Sequence, residues 1–206
     1  MHADKKGRSM ENINEPNRWA TPKNEEIVAS PLDHLVGYMA IEFNNLEFIL
    51  QLTLQKLTGT DHFGVTAIWS SLMWSGRIEM IDALMRARFN DTHQLRIFWA
   101  KKLKPFLGDV AADRNAIIHG MRSVETRKDG STKHYITHNH FGDHGFARRR
   151  FRYDERELRE IILDIRVAAE AMAKFDSSLI GGGPAPEELA NLPVRRRPPR
   201  DRRTVA

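Results

Sequence analysis

Cysteine is absent from this chain of 206 residues, so disulfide bonds and thiolate-ligated metal sites are excluded. The chain also lacks a run of about 18 consecutive apolar residues, and a transmembrane helix is therefore not expected. Residues 1–24 lack the apolar segment of a secretory signal peptide. Together these absences predict a cytoplasmic protein that is not associated with a membrane.

Positive charge exceeds negative charge by five over the whole chain. The excess lies at the two ends, because residues 1–24 carry a net charge of +2 and residues 181–206 one of +3. The part between them is neutral. A basic balance favours an acidic partner such as RNA, but here the attraction would come from the ends. We predict a polar N-terminal tail over 1–30, a helical domain over 31–180 and a disordered tail rich in Pro and Arg over 181–206.

Apolar residues recur every three or four positions in four stretches, a pattern typical of amphipathic helices. We predict helices over 31–57, 64–89 and 91–119, and a last helix that begins after Asp154, with Glu157 at the capping-box position. Pro105 lies inside the third stretch and should bend or divide it. The first helix is apolar on more than one side, since Ile41 and Phe48 fall outside its main stripe. Such a helix is typical of a bundle interior or a subunit interface.

Residues 121–153 lose the helical period. Asp129 and Gly130 form a favourable hairpin turn between two short stretches that alternate as strands do. The predicted fold class is therefore mainly α: a bundle of four to five helices, with a small antiparallel β-hairpin or meander inserted before the last helix.

A short polar motif stands at the end of the third predicted helix. Asn115 and His119 are four residues apart and share one helix face, while Gly120 ends the helix. Arg114 and His119 are separated by about 140° around an ideal helix, so they cannot both reach one small site on a straight helix. A frayed last turn, or a second copy of the chain across a two-fold axis, would bring them together. Imidazole, guanidinium and amide are the groups needed to deprotonate a ribose 2′-hydroxyl and hold the attacked phosphate.

The motif Arg114-Asn115-Ala116-Ile117-Ile118-His119 resembles the signature of the HEPN superfamily of helical-bundle ribonucleases. That signature is Arg, a polar residue, and then His after a gap of about four to six residues. In the family it lies near the end of the third long helix, and two copies face each other in a homodimer. We judge the resemblance to cover residues 31–180.

The resemblance implies a metal-independent endoribonuclease that needs no cofactor. His119 would act as the general base on the 2′-hydroxyl and leave a 2′,3′-cyclic phosphate and a 5′-hydroxyl. Arg114 would stabilise the charge on the pentacoordinate phosphate, and Asn115 would orient the phosphate or His119. Toxin–antitoxin systems or antiviral defence would be the biological setting, with an antitoxin or a nucleotidyltransferase-like protein as partner.

Two alternatives stay open. Many relatives keep the fold for binding, so the chain could be a non-catalytic dimeric module that binds RNA or protein. The motif itself could also be structural, with Arg114 and Asp113 forming a solvated pair while His119 caps a helix.

Two carboxylates are candidates for a supporting role, Asp113 beside the motif and Glu42 in the first helix. Glu42 interrupts the apolar stripe, and a carboxylate there needs a cation unless it reaches solvent. Arg77 and Arg114 are the expected partners.

An arginine-rich stretch precedes the last predicted helix: Arg148, Arg149, Arg150 and Arg152 are interleaved with aromatic residues. Arginine and aromatic side chains on a strand can hold RNA phosphates and stack on bases. A charged edge strand that prevents sheet aggregation has the same composition.

Four histidines lie in the same insertion, His134, His138, His140 and His144. Part of this cluster resembles the H-x-H-x-D-H motif of metallo-β-lactamase-fold hydrolases. Two residues separate His140 from Asp143, however, and that insertion breaks the loop geometry the motif needs. We interpret the segment as a solvated hairpin and predict no metal site.

Overall fold

Helices make up most of the computed structural model, which describes residues 31–141 and 148–181. A three-stranded antiparallel sheet precedes the last helix, so the predicted mainly α class with a β insertion is confirmed. Residues 1–30 and 182–206, which hold nearly all of both predicted tails, lie outside the described residues. No helix in the described ranges is long and apolar enough to cross a membrane.

The elements follow one another in a simple order. The helices are α1 (Pro31–Thr58), α2 (His62–Ser71), α3 (Trp74–Arg88), α4 (Gln94–Phe98), a π-helix (Trp99–Leu103), α5 (Lys104–Ile118) and α6 (Glu155–Ser178). The strands are β1 (Met121–Thr126), β2 (Thr132–Phe141) and β3 (Arg148–Tyr153). Because α4, the π-helix and α5 join without a break, the described part of the chain has five separate helical segments.

Helices α1 and α6 form the centre of the bundle. They run parallel, because Glu42 pairs with Arg166 and, about three turns further along both helices, Thr53 donates to Asp176. Fully buried leucine, isoleucine and methionine side chains fill the space around them. At the start of α6 the predicted capping box is present, formed by Asp154 with the residue three positions on.

The predicted second helix over 64–89 is wrong as a single element. The chain breaks at Leu72 and Met73, whose backbone is extended, and this separates α2 from α3. The break lets Arg77 turn back onto α2, where its Nε donates to the Trp69 carbonyl at 3.2 Å. Its guanidinium also lies 4.5 Å from the centre of the Trp69 ring. Neither residue at the break is Gly or Pro, so the sequence carried no local signal for it.

The predicted third helix over 91–119 starts at residue 94 and is divided as Pro105 led us to expect. The division is a turn of π-helix from Trp99 to Leu103 directly before the first turn of α5, which contains the proline. Proline has no backbone N–H and its ring clashes with the carbonyl four residues earlier. The wider π turn accommodates both the missing N–H and the proline ring, so the chain stays helical on either side of the turn.

The sheet follows the predicted hairpin. Asp129 accepts hydrogen bonds from the backbone N–H and the hydroxyl of Ser131, and Gly130 adopts φ +79° in the turn. Strands β1, β2 and β3 pair in that order. Ile136 on β2 and its β3 partner Tyr153 are buried, so this part of the sheet lies against the helices.

Gly120 joins the end of α5 to the sheet, and a side chain there has no room. A Cβ atom would lie 2.8 Å from the Ala116 carbonyl oxygen and would also collide with Cγ2 of Ile136. Because one of these neighbours is backbone, the helix end and β2 would have to move apart.

We expect Gly120→Ala to lower the free energy of unfolding by about 1–3 kcal/mol, the usual cost of overpacking. Gly37→Ala is the matched control, because Gly37 lies within α1 and a Cβ there meets nothing within 4 Å. The control should raise stability by about 1 kcal/mol through helix propensity. Urea denaturation measures both, and equal effects of the two changes would contradict the close approach at Gly120.

Candidate functional site

Helix α5 divides the Arg114-Asn115-His119 motif between its two sides. Its buried residues include Leu107, Val110 and Ile117, and Arg114 falls on the same stripe by helical spacing. Arg114 is accordingly half-buried, whereas Asn115 and His119 are exposed. The helix therefore presents the amide and the imidazole to solvent and directs the arginine toward α1.

The guanidinium of Arg114 lies on an aromatic ring. Its central carbon is 5.2 Å from the centre of the Phe43 ring, and that ring packs at 4.8 Å on Trp74. Nη1 donates to Oδ1 of Asn115 at 3.1 Å. Nε is buried and has no hydrogen-bond partner among the described residues. A buried donor without a partner costs free energy, so this arginine is held in place by packing and not by a full set of hydrogen bonds.

The expected fraying of the last turn does not occur. The N–H of His119 donates to the Asn115 carbonyl at 3.0 Å and the N–H of Gly120 to the Ile117 carbonyl at 3.2 Å. His119 is the C-cap of α5, with φ −95° and ψ 2°. No hydrogen bond joins Arg114 to His119 within the described chain. Within one chain, the two side chains therefore do not meet.

Glu42 is paired, but not with either predicted partner. Its Oε1 accepts a hydrogen bond from Nε of Arg166 at 2.8 Å. Arg166 also lies over the Tyr38 ring, 5.0 Å from its centre, and donates to the Tyr38 hydroxyl. Arg77 binds Glu47 instead, at 2.8 Å. The expectation of Arg77 or Arg114 was wrong because α6 packs on this side of α1, and helical spacing alone could not place α6.

Asp113, the other candidate acid, is half-buried on α5. Arg114 donates to Asn115 and not to Asp113 in the hydrogen bond described above. The structural alternative stays open, because His119 is indeed the C-cap of α5.

The four arginines predicted to contact RNA all lie on β3. Alternation along a strand assigns positions 148, 150 and 152 to one face and position 149 to the other. Of these side chains the structure describes only that of Arg152, which pairs with Glu125 at 3.0 Å and lies 5.3 Å from the centre of the Tyr135 ring. An arginine beside a tyrosine on an open strand fits the predicted RNA contact, which stays a prediction.

The histidine cluster is only partly described. His134 is exposed on β2 and His138 is half-buried, while the side chain of His140 and all of His144 lie outside the described residues. Among the side chains that are described, no three His, Asp or Glu groups are arranged to hold a metal ion.

Sequence reasoning missed a buried charge cluster centred on Asp82 in α3. One carboxylate oxygen accepts from the Trp99 indole at 3.0 Å, and the other binds Lys104 at 3.0 Å and Arg86 at 2.6 Å. Burial acts to raise the pKa of Asp82. The hydrogen bonds from Lys104 and Trp99, together with the nearby positive charges, outweigh burial and bring this pKa below its ordinary value. The pKa of Lys104 is raised: burial acts to lower it, but hydrogen bonds to Glu79 and Asp82 prevail. Helical spacing gave no signal for this cluster, because its members come from three different elements.

Comparisons of this chain with protein-family models, with curated proteins and with solved structures found no match. The HEPN resemblance therefore rests on the motif residues and on their place at the end of α5.

Proposed function

We propose that this protein is a metal-independent endoribonuclease of HEPN type. The observation that carries the proposal is the state of Arg114, a half-buried guanidinium fixed on Phe43 with Nε unpaired and with Nη1 on Asn115. Arginine binds phosphate through a planar fork of donors, and this arginine retains unused donors. Asn115 extends from it to the exposed face that carries His119.

The proposed chemistry divides the roles as the resemblance implies. His119 removes the proton from the 2′-hydroxyl, whose oxygen attacks the adjacent phosphorus and expels the 5′-oxygen of the next nucleotide. Arg114 stabilises the negative charge that develops on the phosphoryl oxygens. The products are a 2′,3′-cyclic phosphate and a 5′-hydroxyl. Toxin–antitoxin systems or antiviral defence provide the proposed setting in the cytoplasm, with an antitoxin or nucleotidyltransferase-like partner.

The test is cleavage of mixed cellular RNA by the purified full-length protein in excess EDTA, followed by mapping of the new ends. Cyclic phosphate ends formed in EDTA support the proposal. Cleavage that EDTA abolishes would sink the metal-free mechanism. RNA binding without cleavage would instead favour the second candidate, a non-catalytic binding module, for which the contact of Arg152 on β3 with Tyr135 on β2 is the supporting observation.

A homodimer is part of the proposal, since Arg114 and His119 do not meet in one chain. Two apolar side chains flank the exposed histidine: Ile118 is 38% exposed and Met121 is 61% exposed. Pairing of two chains at this end of α5 would cover them and place each His119 beside the motif of the other chain.

A second apolar surface lies on α1, where Ile41 and Phe48 are exposed. Ile41 is about 160° around α1 from Phe43, the residue on which Arg114 lies. Covering this surface therefore cannot bring two motifs together. We therefore propose that the dimer forms at the end of α5 and not on this side of α1.

We expect the protein to be a dimer at micromolar concentration and the double change Ile118→Glu with Met121→Glu to dissociate it and abolish cleavage. An isologous interface buries at least about 1,000 Å², and four desolvated carboxylates at its centre, two from each chain, would oppose it. Ile41→Glu with Phe48→Glu is the matched control and should leave cleavage intact. Light scattering measures the mass. A monomer near 24 kDa that still cleaves RNA would show the composite site to be wrong.

A further inference from the structure

A cleft of about 600 Å³ opens between α3 and the start of α5. It lies within the described residues and outside the Arg114-Asn115-His119 motif. Its walls come from four helical elements and comprise Asp82, Arg86, Arg96, Ala100, Lys104, Pro105, Gly108 and Asp109.

The charges at the cleft favour an anion. The lining residues include three cations, Arg86, Arg96 and Lys104, and two carboxylates, Asp82 and Asp109, which is an excess of one positive charge. Arg86 uses Nη1 for its contact with Asp82, and its side chain is 55% exposed. The remaining donors of its guanidinium are therefore available to an incoming phosphate. Lys104 also contacts Glu79, an exposed acid that can move aside.

The π-helix builds one wall of this cleft. Its first residue, Trp99, is completely buried and donates its indole N–H to Asp82. This contact fixes the carboxylate that in turn holds Lys104 and Arg86. Single π turns inside α-helices occur frequently at functional sites, and here the turn positions the cationic wall.

One face of α5 leads from the cleft to the motif. Lys104, Gly108, Ala112, Asn115 and His119 follow one another at spacings of four, four, three and four, so they share a face. Gly108 and Ala112 are exposed and small, and a Cβ at position 108 would meet nothing within 4 Å. The path between the cationic cleft and His119 is thus open. It is about 16 Å long from Gly108 to His119 at the helical rise.

We propose that this cleft binds a backbone phosphate of the RNA that is cut at His119, a few nucleotides from the scissile bond. The inference rests on the proposed ribonuclease function and adds a second contact to it. Arg86 and Lys104 bind the distant phosphate, and the smooth face at Gly108 and Ala112 carries the strand between the two points. The protein consequently prefers an extended single strand that is long enough to reach both.

The test uses single-stranded oligoribonucleotides with 2′-O-methyl ribose throughout, which cannot be cut through a 2′-hydroxyl. Fluorescence anisotropy gives the affinity of the full-length protein for a trimer and for a 12-mer over a range of salt concentrations. We expect Arg86→Ala to weaken binding of the 12-mer about 10-fold, to lower the salt slope by about one, and to leave the trimer unaffected. Arg159→Ala is the matched control, because Arg159 is an equally exposed arginine with an i,i+4 partner on α6. Arg159→Ala should leave the affinity for both the trimer and the 12-mer unchanged.

A second variant tests the cleft in case Arg86→Ala weakens binding only because it misfolds. Gly108→Glu places a carboxylate at the cleft mouth, where a Cβ atom meets nothing within 4 Å, and it should weaken 12-mer binding at least as much as Arg86→Ala does. Gly37→Glu on α1 is its control.

Each other outcome overturns the proposal. Equal effects of Arg86→Ala and Arg159→Ala on the 12-mer would exclude the cleft while leaving ribonuclease activity intact. Loss of trimer binding in Arg86→Ala would mean that the cleft holds a short ligand and not a distant phosphate. A wild-type protein that neither binds nor cuts RNA would overturn the proposed function itself.

Discussion

Replacing His119 by alanine is expected to lower the rate of RNA cleavage at least about 100-fold, because a positioned general base contributes that much or more. Arg114→Ala should have an effect of similar size through loss of charge stabilisation on the phosphate. Arg114→Lys should recover little, since an ammonium keeps the charge but not the planar fork. The initial rate on a fluorescent oligoribonucleotide, with its ends mapped, measures all three.

The controls follow from where these side chains lie. His119 is exposed and its imidazole makes no hydrogen bond that the fold requires, so His119→Ala should keep the wild-type melting temperature. Arg114 lies on Phe43, and its removal should cost about 0.5–2 kcal/mol of stability, which must be measured beside the rate. His134→Ala changes another exposed histidine, on β2, and should cleave normally. Unchanged rates in both His119→Ala and Arg114→Ala would remove the catalytic assignment.

The largest loss of stability should come from Asp82→Ala. Trp99 is completely buried, and a buried donor left without an acceptor costs about 1–3 kcal/mol, whereas the partly exposed cations Lys104 and Arg86 add less. Here the change leaves Lys104 without its buried partner and leaves the buried Trp99 indole N–H without an acceptor. Glu170→Gln is the control, since Glu170 forms only an exposed pair with Lys174 and should cost under about 0.5 kcal/mol. Guanidinium denaturation gives both values, and a loss below about 1 kcal/mol for Asp82→Ala would contradict the role of the cluster.

The same carboxylate gives stability a pH dependence with a definite sign. Because the pKa of Asp82 is lower in the folded protein, its contribution is present above the ordinary aspartate value of 3.8. The contribution is lost as the pH falls through the lowered folded value, where the carboxylate becomes protonated. The difference in stability between wild type and Asp82→Ala should therefore shrink on acidification below about pH 4. A difference that grows instead would show that Asp82 is not charged in the fold.

Much of this fold could be predicted from the sequence, because it depends on the local preferences of neighbouring residues. The bounds of α1 and α6, the capping box at Asp154 and the hairpin at Gly130 follow from apolar spacing and from residues whose backbone preferences are strong. The π turn before Pro105 follows from a missing N–H. The motif and its helical face were also readable, because both depend on residues within two turns of each other.

Tertiary structure alone decided the rest, since it depends on residues that are distant in the chain. Glu42 pairs with Arg166 because α6 and not α5 lies beside it. Arg114 is fixed by Phe43, about 70 residues earlier, and the cationic cleft unites α3 with α5 around Asp82. Helical spacing specifies which side of a helix is buried, but the identity of the neighbour depends on the packing of the whole bundle.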